Sequence, residues 1–176
     1  MDAFARRLSA GGAAVRVDRL DCRALTARVR VGEFPVLLAK PQTYMNLSGE
    51  SVKGLLVKYS VPAERLLVVL DDTALPVGRL RLRAAGSSGG QKGLQSIVEC
   101  LGSNAVPRLR LGIAGEHLRP GDEKADYVLS RFAKGERPLV DGAVASACEA
   151  IEVVLTQGLE SAMTRFNRPP EEFPAG

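Results

Sequence analysis

Two short polar stretches hold the residues best able to do chemistry. The first is "KPQTYMNLSG", Lys40 to Gly49, where an apolar strand-like run gives way to a helical pattern. Its Asn46 carries a neutral amide that donates and accepts hydrogen bonds at once. The second is Asp71–Asp72, at the end of the apolar run "RLLVVL". A carboxylate there can orient an imidazole or bind a cation. Read as strand, helix, strand, residues 34–70 form a right-handed parallel βαβ unit. Both stretches then lie outside the carboxyl ends of one sheet, where open α/β folds bind ligands. On that reading Asn46 and Asp71 are neighbours despite the gap in sequence. The plainer reading makes Asn46 a helix cap and Asp71 a turn residue. The residues alone leave both open.

Three further features bear on chemistry. "GSSGGQKG" (86–93) leads into a helical pattern and offers backbone N–H groups at a positive helix end. Gly93 follows Lys92 where a P-loop needs Ser or Thr, and the stretch is not G-x-G-x-x-G, so a flexible turn competes with an anion cradle. Arg79, Arg81 and Arg83, and then Arg108 and Arg110, alternate with Leu. On neighbouring strands they would make a basic stripe able to follow a phosphate backbone, and a solvated strand face is the competing reading. His117, the single histidine, sits in "GEHLRPG" as an ordinary surface residue. Ser48 lacks the G-x-S-x-G elbow of a serine hydrolase.

The elements that must position these residues alternate. Residues 2–9 read as a helix with only Asp2 as a weak cap, and 24–32 as a strand. Residues 34–40 form a continuous apolar run, expected to be a strand buried on both faces. A helix follows over about 46–59, capped by Asn46 or Ser48. Strands are expected at 65–70, 78–86 and 107–114, and helices at 94–102, about 136–157 and 159–166. The tail from about 168 to 176 reads as frayed. No repeat or interior linker interrupts the 176 residues, which suit one α/β domain over 1–176.

Composition sets limits. Apolar residues make up 45% and charged residues 25%, ordinary for a soluble globular chain, and no apolar run has membrane-spanning length. Cys22, Cys100 and Cys148 are scattered without metal-ligand spacing, which suits a reducing cytosol. The net charge of +4 is compatible with nucleic acid. Aromatics at 5%, with no Trp, make base stacking a poor main binding mode.

Taken in order, "KPQTYMNLSG", "LLVVLDDTALPVGRLRLRAAGSSGGQKGLQSI", "LGSNAVPRLRLGIA", "DYVLSRF" and "FN" at 166–167 resemble the bacterial-type peptidyl-tRNA hydrolase family. The resemblance covers most of the chain from Phe34 onward. It implies a single α/β domain with a twisted mixed sheet flanked by helices, monomeric and cytoplasmic. It also implies cleavage of the ester between a peptide and the terminal ribose of tRNA, with no metal or cofactor and peptidyl-tRNA as partner. In such a mechanism a histidine activates water, a carboxylate orients the histidine, and amides position substrate and water. By resemblance Asn46 is the amide that holds substrate and water, and Asp71 is the orienting carboxylate. Tyr44 (commonly Phe) and Met45 belong to the substrate site, and Arg83 and Arg110 to tRNA binding.

Two departures matter. The family's Gly-rich loop usually ends in His-Asn-Gly and here reads Gln91-Lys92-Gly93. Lys92 therefore stands at a substrate-binding amide position with a longer, cationic group. Family members also open with a strand into Gly-Asn-Pro-Gly and a Thr-Arg-His-Asn segment carrying the general base. Neither motif is in this sequence, and "MDAFARRL" resembles the helix that follows them. The expectation is an N-terminal strand and catalytic histidine lying before Met1, in a longer reading frame or lost from a truncated copy. The chain as written would then lack its base. A tRNA-ester hydrolase is the first reading of function, and a non-catalytic RNA-binding relative the alternative.

Overall fold

The computed structural model describes residues 1–10, 14–116, 118 and 124–167, so His117 and the tail from 168 lie outside the described residues. The chain divides into two compact units, Met1–Val68 with Arg83–Arg108, and Val69–Leu82 with Leu109–Gly176.

In the first unit, α1 (Asp2–Ser9) buries Phe4 and Ala5. Strands β1 (Arg19–Asp21), β2 (Ala24–Val31) and β3 (Phe34–Pro41) form an antiparallel sheet in that order. The β1–β2 hairpin turns on Cys22 and Arg23, both at positive φ. That backbone matches the right-handed twist of the strands it joins. Lys40 Nζ on β3 reaches the Asp2 carboxylate at 2.7 Å. The expectation for β3 fails in two respects. It pairs with β2, and no ladder joins it to the later strand of the expected βαβ unit, which belongs to a different sheet. Among its residues only Leu38 is buried. An outer strand of a small sheet has one partner and one covered face, and an apolar run names neither partner nor layer.

A 3-10 turn (Met45–Leu47) leads into α2 (Ser48–Lys58), which packs on α3 (Lys92–Leu101). The two helices approach closely because position 49 has no side chain. A Cβ there would lie 2.1 Å from the Ser96 carbonyl oxygen. The Gly49 N–H donates to Ser96 Oγ at 3.0 Å, satisfying one of the free donors of the first turn of α2. Helix α3 ends at Gly102 in the left-handed conformation, as its sequence predicts.

In the second unit, β4 (Val68–Pro76), β6 (Arg108–Ala114) and β5 (Leu80–Arg83) form a sheet with β6 in the middle. Backbone bonds from Val68 to Pro107 and from Val77 to Ala114 advance together, so β4 and β6 run parallel. β4 is longer than expected, and Asp71 and Asp72 lie inside it, not beyond its end. Helix α4 (Lys124–Leu129), which sequence periodicity misses, is tied down by Tyr127. Its hydroxyl accepts from the Gly115 N–H at 2.8 Å and donates to the Ile113 carbonyl at 2.6 Å. Helices α5 (Arg137–Gln157) and α6 (Leu159–Phe166) pack together, α5 burying a face of Ala143, Ala147, Ala150 and Ile151. Asn167 then acts as a strand residue. Its Oδ1 accepts from Leu82 N–H at 2.7 Å and its Nδ2 donates to Leu82 C=O at 3.1 Å.

Candidate active site

The turn that carries Asn46 is built from the residues around it. Ser48 Oγ donates to the Met45 carbonyl at 2.9 Å, closing the 3-10 turn from within. Neither expected cap acts as one: the N-cap position of α2 is Leu47, with no side-chain cap bond. Asn46 is exposed, and its amide makes no hydrogen bond among the described residues. The capping role that competed with a functional one is therefore absent. Tyr44 and Met45 beside it are 82% and 55% exposed.

The N-terminus of α3 abuts this turn. Gln91 caps α3, accepting the Leu94 N–H at 2.7 Å, and its Nε2 lies 3.9 Å from the Met45 sulfur. A Cβ on Gly93 would stand 2.5 Å from that sulfur, so glycine leaves the room that Met45 occupies. Sequence reasoning missed Gln91, because Gln is not among the favoured N-cap types. Lys92 is the exposed first residue of α3. A cation there opposes the helix dipole, by about 0.3–1 kcal/mol. Together they make a locally positive corner beside the Asn46 turn.

The Gly-rich loop has Gly86, Gly89 and Gly90 at positive φ. Its scaffold is Arg108, which is 1% exposed. Arg108 Nη1 donates to the Gly86 carbonyl at 2.8 Å, Nη2 to Asn104 at 3.1 Å and Nε to Val106 at 2.5 Å. The expected stripe therefore fails at Arg108. β6 is a central strand, and an arginine alternating with leucine there is enclosed. Arg81 and Arg83 on the outer strand β5 are exposed as expected.

In the second unit, strand alternation places Asp71 on the face of β4 opposite Asp72. Asp71 is half-buried and Asp72 buried. Arg110 Nε stands 2.9 Å from Asp72 Oδ2, with side chains 18% and 5% exposed. The N–H is not aimed at the oxygen and neither atom makes an aligned hydrogen bond, so this is a close charge pair. Among the described residues no cluster of three His, Cys, Asp or Glu could hold a metal ion.

The sequence profile described as Peptidyl-tRNA hydrolase matches residues 1–173. The chain belongs to this family. The peptidyl-tRNA hydrolase of Carboxydothermus hydrogenoformans is 52% identical over 156 residues, 88% of this chain and 81% of that protein. That of Moorella thermoacetica is 46% identical over 154 residues, 87% of this chain and 80% of its own length. A crystal structure of peptidyl-tRNA hydrolase from Acinetobacter baumannii superposes with a TM-score of 0.80 at 29% identity, covering 93% of this chain and 82% of that one. Another, in complex with n-propanol, gives 0.82 at 28%, covering 96% and 85%. The family is one of hydrolases, and its α/β fold is the one seen here. No described helix is long and apolar enough to cross a membrane.

Proposed function

We propose that this chain hydrolyses the ester between a peptide and the terminal ribose of tRNA, as a cytoplasmic, monomeric, single-domain enzyme that needs no metal. In this reaction a base takes a proton from water, the resulting hydroxide attacks the ester carbonyl, and the ribose oxygen leaves with a proton. Asn46 positions the carbonyl and water, and Asp71 orients the imidazole of the base. Tyr44, Met45 and Lys92 contact the substrate near the ester, and Arg83 and Arg110 contact tRNA phosphates. The observation that carries the proposal is the exposed, unengaged amide of Asn46, held on a turn against α3 in a chain of this family.

The test is cleavage of a peptidyl-tRNA by the chain as written and by the chain extended through its in-frame upstream codons. Turnover by either, reduced about a hundred- to a thousandfold by Asn46→Ala, is the expected result, since that is the cost of deleting one positioned amide donor. Tight tRNA binding with no cleavage by both forms would overturn the proposal and leave an RNA-binding relative.

A further inference from the structure

We propose that Asp72 is a positioning residue for RNA recognition: it anchors Arg110 at Nε and so presents the two terminal nitrogens of the guanidinium to a tRNA phosphate. This rests on the tRNA-contact role proposed above for Arg110. Asp72 is itself tightly fixed. Its Oδ1 accepts the N–H of Ala74 two residues along the same strand at 2.9 Å, which leaves Oδ2 for Arg110 on the neighbouring strand β6. A carboxylate only 5% exposed needs an opposite charge close by, and Arg110 supplies it.

The way Arg110 is held matters more than the fact that it is held. The close contact is made at Nε, the nitrogen on the side of the guanidinium. Nη1 and Nη2 make no hydrogen bond among the described residues, and neither is among the buried atoms lacking a partner. The forked end that matches a phosphate in bidentate fashion therefore stays available at the exposed 18% of the side chain. A side chain already fixed in one rotamer loses less entropy when it binds, so anchoring raises affinity without adding a contact. Lysine could not fill both roles, having a single nitrogen. Asp72 also places a negative charge near a polyanion, which works the other way. The two effects predict opposite signs for removal of the charge.

Equilibrium binding of tRNA decides between them, and it does not depend on turnover. Asp72→Asn keeps the acceptor for Ala74 and removes the charge facing Arg110. It is expected to weaken tRNA binding roughly three- to tenfold, the scale of the entropy lost in ordering one long side chain, with kcat unchanged. Adding Asp72→Asn to Arg110→Met should change the Kd no further, because Asp72 acts through Arg110. Binding that tightens or stays level in Asp72→Asn overturns the proposal, as does a fall in kcat at constant affinity. If Asp72→Asn alone does not fold, Arg110→Met and the double variant still decide: equal Kd values are expected, and a tighter double variant overturns the idea. Failure of the unsubstituted chain to bind tRNA would sink the functional reading and this inference together. Binding by that chain with the wrong sign in Asp72→Asn would sink this inference alone.

Discussion

Asp21 closes the β1–β2 hairpin with both carboxylate oxygens engaged by the end of α2, one 2.7 Å from Lys58 Nζ and the other 2.5 Å from the Tyr59 hydroxyl. The Arg28 guanidinium stacks over the same tyrosine ring at 5.0 Å. The Lys58 hydrogen bond, then that of Tyr59, lowers the Asp21 pKa from 3.8 to about 2. A carboxyl depressed in the folded state contributes stability that is present above its unfolded pKa and lost as pH falls through its folded one. This contribution should thus be intact at neutral pH and disappear between about pH 4 and pH 2. Lys58 is raised by the same contact, so its share persists until pH climbs above its ordinary value of 10.5. Asp21→Asn is expected to lower the urea midpoint at pH 7 and to converge with the unsubstituted chain near pH 2. Urea titrations from pH 2 to 7 check this, and a constant difference across that range would refute it. None of this was legible in sequence: Asp21, Lys58 and Tyr59 carry no motif, and only the pairing of hairpin and helix brings them together. Asn46 was legible as a candidate because its type and place are unusual at a strand-to-helix junction. Its competing role as a cap was removed only by the 3-10 turn, which no residue pattern announces.

At the scale of elements, the contact between α2 and α3 turns on Gly49. An added Cβ would lie 2.1 Å from a backbone oxygen of α3, and backbone cannot swing aside as the tip of a side chain can. Gly49→Ala should destabilise the chain by about 3 kcal/mol, at the upper end for overpacking. It should also disturb the Asn46 turn that α2 extends. Gly142 in α5 is the control, with nothing within 4 Å of an added Cβ. Gly142→Ala should stabilise by about 0.5–1 kcal/mol through helix propensity alone. Chemical denaturation of the two variants tests the contrast, and equal effects would show that close packing is not what sets the glycine at 49. The helices at 2–9 and 159–166 emerge with the bounds their periodicity predicts, because an amphipathic stripe is a local property. The partner of β3 does not: it is β2, the preceding strand across a two-residue turn at Gly32–Glu33, a local hairpin that the reading of 34–70 as a βαβ unit passed over. Arg108 marks a limit of another kind. Alternation gives the face of a residue but not whether its strand lies at the edge or the centre of a sheet.

The whole molecule carries 24 basic and 20 acidic residues, a net +4. That small excess gives weak long-range attraction for a tRNA, so affinity should come from a few placed contacts. Among the arginines of "RLRLR" and "RLRL", Arg108 is enclosed and bonded to backbone carbonyls, whereas Arg83 is exposed. For a chain acting on tRNA as proposed, the two must respond differently to salt. Each phosphate neutralised in a duplex adds about 0.9 to the slope of log K against log salt, through release of condensed counterions. Arg83→Met should therefore reduce that slope by about 0.9, weaken binding at low salt, and leave kcat and thermal stability unchanged. Arg108→Met should leave the slope alone. It should instead cost about 3 kcal/mol of stability, because the carbonyls of buried Val106 and half-buried Gly86 lose their donor at once. Binding isotherms at four or five salt concentrations, with a thermal melt of each variant, separate the two roles. A slope change in Arg108→Met without loss of stability would mean that the Gly-rich loop opens on tRNA and hands that guanidinium to a phosphate.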